Sequence, residues 1–254
     1  MSTTQKIALV TGSSRGLGRN TAISLSKKGI DAVITYNSKK DEADKVVAAV
    51  EANGQKAVAM QLNTAVISGF DVFFEKLAVV LQEKWGRDNI DFFINNAGTE
   101  SSAPFAQTTE EQFDALMNIH FKGVYFLTQK ALPFIADGGR IINLSTGLAR
   151  FTTPGYSAYA SMKGAIETLT KYLAKELGPR RIAVNVVAPG AINTDFTRKN
   201  FDARPESRAY IASQTALGRM GEADDIGGVI AFLCSPEAGW INAQRIEASG
   251  GMFL

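Results

Sequence analysis

Tyr159-Ala160-Ser161-Met162-Lys163 sits in a stretch with helical periodicity, which puts Tyr159 and Lys163 at i and i+4, on one face with their side chains adjacent. A phenol titrates near 10 in water and is a poor proton carrier at neutral pH. A neighbouring ammonium favours the phenolate and lowers that value, so the pair predicts acid-base chemistry at the Tyr159 oxygen. On its own the spacing is common on helix surfaces, and its meaning depends on what else the chain carries.

A second constellation stands near the start. Thr11-Gly12-Ser13-Ser14-Arg15-Gly16-Leu17-Gly18 follows a short apolar run and opens an amphipathic one. Glycines permit a tight turn, free N–H groups can face a pyrophosphate, and the helix dipole favours the anion. Dinucleotide sites that prefer NAD usually place an acid about 20 residues further on, at the end of the second strand. Here that strand ends Thr35-Tyr36-Asn37-Ser38, followed by Lys39 and Lys40, and Arg15 lies within the glycine loop. These donors and cations suit a 2′-phosphate, hence NADP(H).

The elements that must hold these groups alternate along the whole chain. Strand-type runs are expected at Lys6 to Thr11, Asp31 to Tyr36, Lys56 to Leu62, Ile90 to Ile94, Arg140 to Leu144, Ile182 to Val187 and near Glu247. Helical patterns separate them at Gly16 to Lys28, Lys40 to Ala52, Phe70 to Trp85, Thr109 to Leu132 and Ser157 to Leu177. This rhythm predicts an α/β fold: a single Rossmann-type doubly wound parallel sheet of about seven strands, with helices on both faces and ligands beyond the carboxyl ends of the strands. No repeat or linker divides residues 1 to 254, so one domain is expected. From Gly190 to Thr215 the chain mixes polar and aromatic residues, as a substrate flap would; a solvated connecting loop is the alternative.

Composition narrows the partners. Lys+Arg number 27 against 25 Asp+Glu, far from the basic footprint of a nucleic-acid binder. One cysteine, Cys234, and one histidine, His120, exclude internal disulfides and Cys/His metal clusters, so no metal is expected. Apolar runs are too short for a membrane span, and a cytoplasmic protein acting on small molecules is the expectation.

Together these motifs resemble the short-chain dehydrogenase/reductase family, in its single-domain branch, and the match runs through nearly the whole chain. It includes Thr11-Gly12-x-x-x-Gly16-x-Gly18, Asn95-Asn96-Ala97-Gly98, Asn118, Tyr159-x-x-x-Lys163 and Pro189-Gly190, in the family's order. The resemblance implies hydride transfer between a nicotinamide and a ketone or secondary alcohol. Tyr159 would be the acid/base, Lys163 would hold the nicotinamide ribose and acidify the phenol, and Asn118 would retain a water. Asn63 would lie near the adenine, Asn96, Ala97 and Gly98 along the adenosine side, and Ile192 and Thr194 at the carboxamide.

The family's substrate-oxygen donor is usually a serine thirteen positions before the tyrosine; here that position is Thr146, with Ser145 before it. Threonine keeps the hydroxyl and adds a methyl that crowds the pocket. Asn63 and Ser249 also replace residues that are usually aspartates. His120 reads as a packing residue and Cys234 as a small buried hydrophobe.

By resemblance to 3-oxoacyl-[acyl-carrier-protein] reductases, the substrate could be a 3-oxoacyl thioester, with Arg180 and Arg181 facing an acidic acyl carrier protein. A sugar, polyol, steroid or small-ketone reductase is the alternative within the same chemistry. An NADP-binding sensor or scaffold with little turnover is the alternative outside it. A homotetramer is implied as well.

Overall fold

The computed structural model describes residues 5–195, 197 and 206–254. Seven parallel strands form one sheet in the order β3-β2-β1-β4-β5-β6-β7. They are β1 (Lys6–Val10), β2 (Ile30–Tyr36), β3 (Ala57–Gln61), β4 (Ile90–Asn95), β5 (Ile135–Leu144), β6 (Ala183–Pro189) and β7 (Arg245–Ala248). The expected α/β architecture is therefore present. Every residue of β4 and β6 is buried, as strands covered on both faces must be, and both runs are mostly apolar without alternation, their polar side chains Asp91, Asn95 and Asn185 being hydrogen-bonded.

One face is covered by α3 (Phe70–Trp85), α5 (Gly123–Ala131) and α6 (Ser157–Glu176). Phe70, Phe73, Phe74, Leu77 and Leu81 of α3 recur at helical spacing and meet Leu9, Phe93 and Ile141 of the sheet. On the other face lie α1 (Gly16–Ser26) and α2 (Lys40–Glu51), with a closing helix, Ala223–Leu233, that supplies Ile226 and Ile230.

Three local features depart from the pattern read above. The long helix expected over Thr109 to Leu132 is in three pieces: α4 (Glu110–Met117), a π-helical turn at Asn118–Lys122, and α5. β5 starts five residues earlier than expected, with its register against β4 shifted between Ile90 and Phe92. Two helices of the C-terminal half, Glu206–Ser213 and Ala223–Leu233, were not among the expected elements. Of the expected flap, Phe196 and 198–205, including Arg198, Lys199, Asn200, Phe201, Asp202, Arg204 and Pro205, lie outside the described residues.

The order of strands reverses between β1 and β4. Chain leaving their carboxyl ends parts to opposite sides there, and this opens a crevice above the sheet. No described helix is long and apolar enough to cross a membrane.

Candidate active site

The crevice holds a cleft of about 1170 Å³. One end is built by the glycine loop. Gly12 (φ +60°) and Gly16 (φ +55°) take left-handed backbone, and a Cβ on Gly12 would lie 2.8 Å from Ala97 Cα. The loop is braced from β4: Thr11 Oγ1 accepts the N–H groups of Asn96 and Ala97 at 2.9 Å, and Asn96 Nδ2 donates to the Thr11 carbonyl at 2.8 Å. Gly18 packs so closely that a Cβ would come within 2.4 Å of Asn96 Nδ2. Asn96 thus lines the cleft while its amide fixes the loop.

At the start of α1 the cap residue Arg15 makes no side-chain capping bond, and the first turn holds no acid, so the helix end stays free and positive toward the cleft. Gly12, Ser14, Arg15, Gly16, Leu17, Asn37, Ser38, Asn63, Asn96, Ala97, Gly98, Pro189, Gly190, Ile192 and Thr194 all line it. Lys39 does too, whereas Lys40 turns back to Asp44 at 2.7 Å. Gly18 and Tyr36 are not among the lining residues. A glycine cradle, free N–H groups and a rim of Arg15, Asn37, Ser38 and Lys39 without an acid fit a dinucleotide with a 2′-phosphate.

Beyond the cradle the cleft reaches Tyr159, Lys163 and Thr146. Lys163 is buried, its Nζ donating to the Leu144 carbonyl at 2.7 Å and lying 5.8 Å from the Tyr159 ring centre. Burial pulls the lysine down to about 8. The same physics corrects one expectation. Desolvation drives the Tyr159 phenol above its ordinary value, Glu100 pushes the same way, and the lowering contribution is a hydrogen bond with Thr146. In this state Tyr159 is a protonated donor, not a phenolate.

Thr146 Oγ1 accepts the Leu148 N–H at 3.3 Å, which leaves its proton for Tyr159. Ser145 points the other way, as neighbouring residues of an extended segment do, and gives its Oγ to Glu167 at 2.6 Å.

Asn118 is not among the residues that line the cleft. The π turn that begins with it brings His120 to Tyr159, edge to face with ring centres 5.0 Å apart. His120 Nε2 lies 2.7 Å from the Thr99 carbonyl, and burial, with Lys163 beside it, holds the imidazole down to about 3 and therefore neutral. The packing role expected of His120 is thus directed at the reactive phenol. Sequence reading missed this because an extra residue in one helical turn shifts every following face.

Other groups came to light only in space. Tyr156 Oη donates to Glu100 at 2.9 Å at the cleft wall. Phe151 and Phe253 face each other with ring centres 4.8 Å apart, and Tyr210 and Ile211 of helix Glu206–Ser213 complete that end. Met252 is buried, so the chain's last turn folds back over its own domain. Cys234 is buried, which pushes its thiol up to about 12, in keeping with an inert hydrophobe.

This fold, with a tyrosine and a lysine one turn apart beside a glycine cradle, defines a dinucleotide-dependent oxidoreductase, and the chain belongs to the short-chain dehydrogenase/reductase family. Residues 12–253 match a family model described as enoyl-(acyl carrier protein) reductase. An uncharacterised oxidoreductase of Methylorubrum extorquens is 38% identical over 247 residues, covering 97% of each chain. A hydroxynaphthalene reductase-like protein of Metarhizium brunneum is 34% identical over 97% of this chain and 94% of its own. Among solved structures, the angucycline C-6 ketoreductase LanV with bound NADP superposes with a TM-score of 0.93, at 38% identity, covering 98% of this chain and 95% of that one.

Proposed function

We propose that the protein is an NADPH-dependent carbonyl reductase that converts a ketone to a secondary alcohol, with Tyr159 as proton donor. The observation that carries this is the placement of Tyr159, Thr146 and buried Lys163 in one cleft with the glycine cradle, Lys163 one turn along α6 from the phenol. Bound NADPH supplies hydride to the carbonyl carbon. Tyr159 gives its proton to the carbonyl oxygen as the C=O bond becomes C–OH, and Thr146 donates a hydrogen bond to the same oxygen. Lys163, anchored on the Leu144 carbonyl, keeps further protons to offer the nicotinamide ribose and returns a proton to Tyr159 between turnovers. His120 stays neutral and holds the phenol ring by its edge.

Phe151, Tyr156, Tyr210 and Phe253 line the substrate end, and ring-lined walls favour a flat aromatic ketone over a 3-oxoacyl thioester. The names of the hydroxynaphthalene and angucycline relatives support the same class. Arg180, expected to face an acyl carrier protein, donates to Asp137 and to the Leu132 carbonyl, both at 2.8 Å, at the amino end of the sheet and away from the cleft.

The test is a steady-state panel of fused-ring aromatic ketones, 3-oxoacyl thioesters, sugars, steroids and small ketones with NADPH. Aromatic ketones are expected to give the highest kcat/KM, and tight NADPH binding without turnover anywhere on the panel would favour a sensor instead. Tyr159→Phe is expected to remove turnover by at least a thousandfold while the NADPH Kd stays within about threefold.

A further inference from the structure

Behind the cleft lies an ion network that none of these roles uses. Thr146 starts a tight turn, Gly147–Ala149, with its hydroxyl on the cleft side. Its carbonyl accepts Arg245 Nη2 at 3.1 Å. Arg245 stands on β7, two strands from β5. Its Nε donates to Glu167 Oε1 at 2.7 Å, the oxygen that also receives Ser145 Oγ, and its Nη1 pairs with Glu247.

Glu167 lies four residues after Lys163 on α6. One guanidinium therefore ties the turn carrying Thr146 to the helix carrying Tyr159 and Lys163. The three side chains are only 22%, 19% and 25% exposed for Arg245, Glu167 and Glu247, so solvent screens the network little. A planar fork with fixed N–H directions can serve three acceptors at once, which a lysine ammonium cannot do in the same geometry. The same Glu247 oxygen, Oε2, also receives Arg150 Nε at 3.3 Å, and Arg150 Nη2 donates to the Met252 carbonyl at 2.6 Å, so the wall beside Phe253 hangs from the same carboxylate.

We propose that Arg245 is a positioning residue for the reduction: by holding the Thr146 carbonyl against α6, it sets the direction in which the Thr146 hydroxyl meets the substrate oxygen. The proposal rests on the role given to Thr146 above. Substitution of Arg245 leaves that hydroxyl present but misdirected, so the loss should fall on kcat and should disappear once the hydroxyl is gone.

The experiment is a double-mutant cycle of Arg245→Met and Thr146→Ala, with kcat for the best ketone and NADPH Kd by fluorescence titration. Arg245→Met is expected to lower kcat at least tenfold, to leave the NADPH Kd within twofold, and to lower kcat less than twofold further in the Thr146→Ala background. Arg245→Lys keeps the pair with Glu167 without the fork; it should show the same kcat loss, and it is read in place of Arg245→Met if the latter does not fold. Equal losses in both backgrounds, or a kcat within twofold of the parent, would overturn the proposal while leaving Tyr159 chemistry untouched. A Thr146→Ala variant with parental kcat would overturn it together with the role given to Thr146.

Discussion

Lys163 sets the pH behaviour of the site. Burial lowers its pKa from 10.5 to about 8, so the folded chain releases a proton that the unfolded chain still holds. Between those values the unfolded state binds more protons, and stability rises with pH across that window. Activity runs the opposite way. Reduction needs a proton source behind Tyr159, and kcat/KM is expected to fall as pH passes about 8, while the phenol itself stays protonated. A pH–rate profile flat through pH 10, or urea unfolding whose midpoint falls from pH 8 to 10, would contradict this. At this scale the sequence was most informative about identities and least about charge states. Tyr159, Lys163 and the glycine loop could be placed from residue types and spacing, and Thr146 from the family resemblance, but whether the ammonium or burial governs the phenol depends on how much solvent the finished fold admits. Arg245, and the target of the packing expected of His120, escaped for a related reason: their partners, Thr146 and Tyr159, are distant in the chain, and no local pattern marks them.

Among the elements, helix Ala223–Leu233 shows how one sequence feature carries opposite meanings. It contains adjacent glycines, Gly227 and Gly228. The first is buried against α1, where a Cβ would lie 1.9 Å from Asn20 Oδ1 and 2.6 Å from Ser24 Oγ; the second faces open space. Gly227→Ala is expected to destabilise by about 1 kcal/mol by displacing the Asn20 and Ser24 side chains of α1, whereas Gly228→Ala should stabilise by about 0.5–1 kcal/mol through chain entropy alone. Chemical denaturation of the two variants checks both signs. Those glycines also dilute the helical signal, which is why this element was absent from the sequence-based reading. Strands fared better, since β2, β4 and β6 are wholly or almost wholly buried and announce themselves as short, mostly apolar runs rich in β-branched and aromatic residues, interrupted by Asp31, Asp91 and Asn185. The π turn at Asn118–Lys122 was illegible because its neighbours on both sides keep good helical periodicity.

The whole molecule presents Phe113, Tyr125 and Tyr172, each at least 40% exposed, on α4, α5 and α6. Large aromatics on three neighbouring helices fit burial between copies, and a homotetramer is expected; sedimentation equilibrium giving a monomer at micromolar concentration would reject it. The placement of the two indoles has a practical side. Trp85 is pinned at the amino edge of the sheet by a 2.6 Å bond from Nε1 to Asp31, Trp240 is 99% exposed, and neither lines the cleft. Emission from Trp85 therefore shifts to the red when that edge opens, whereas Trp240 already glows as a solvated fluorophore and adds a constant background. The protein carries its own optical gauge of unfolding, set apart from the place where ligands dock.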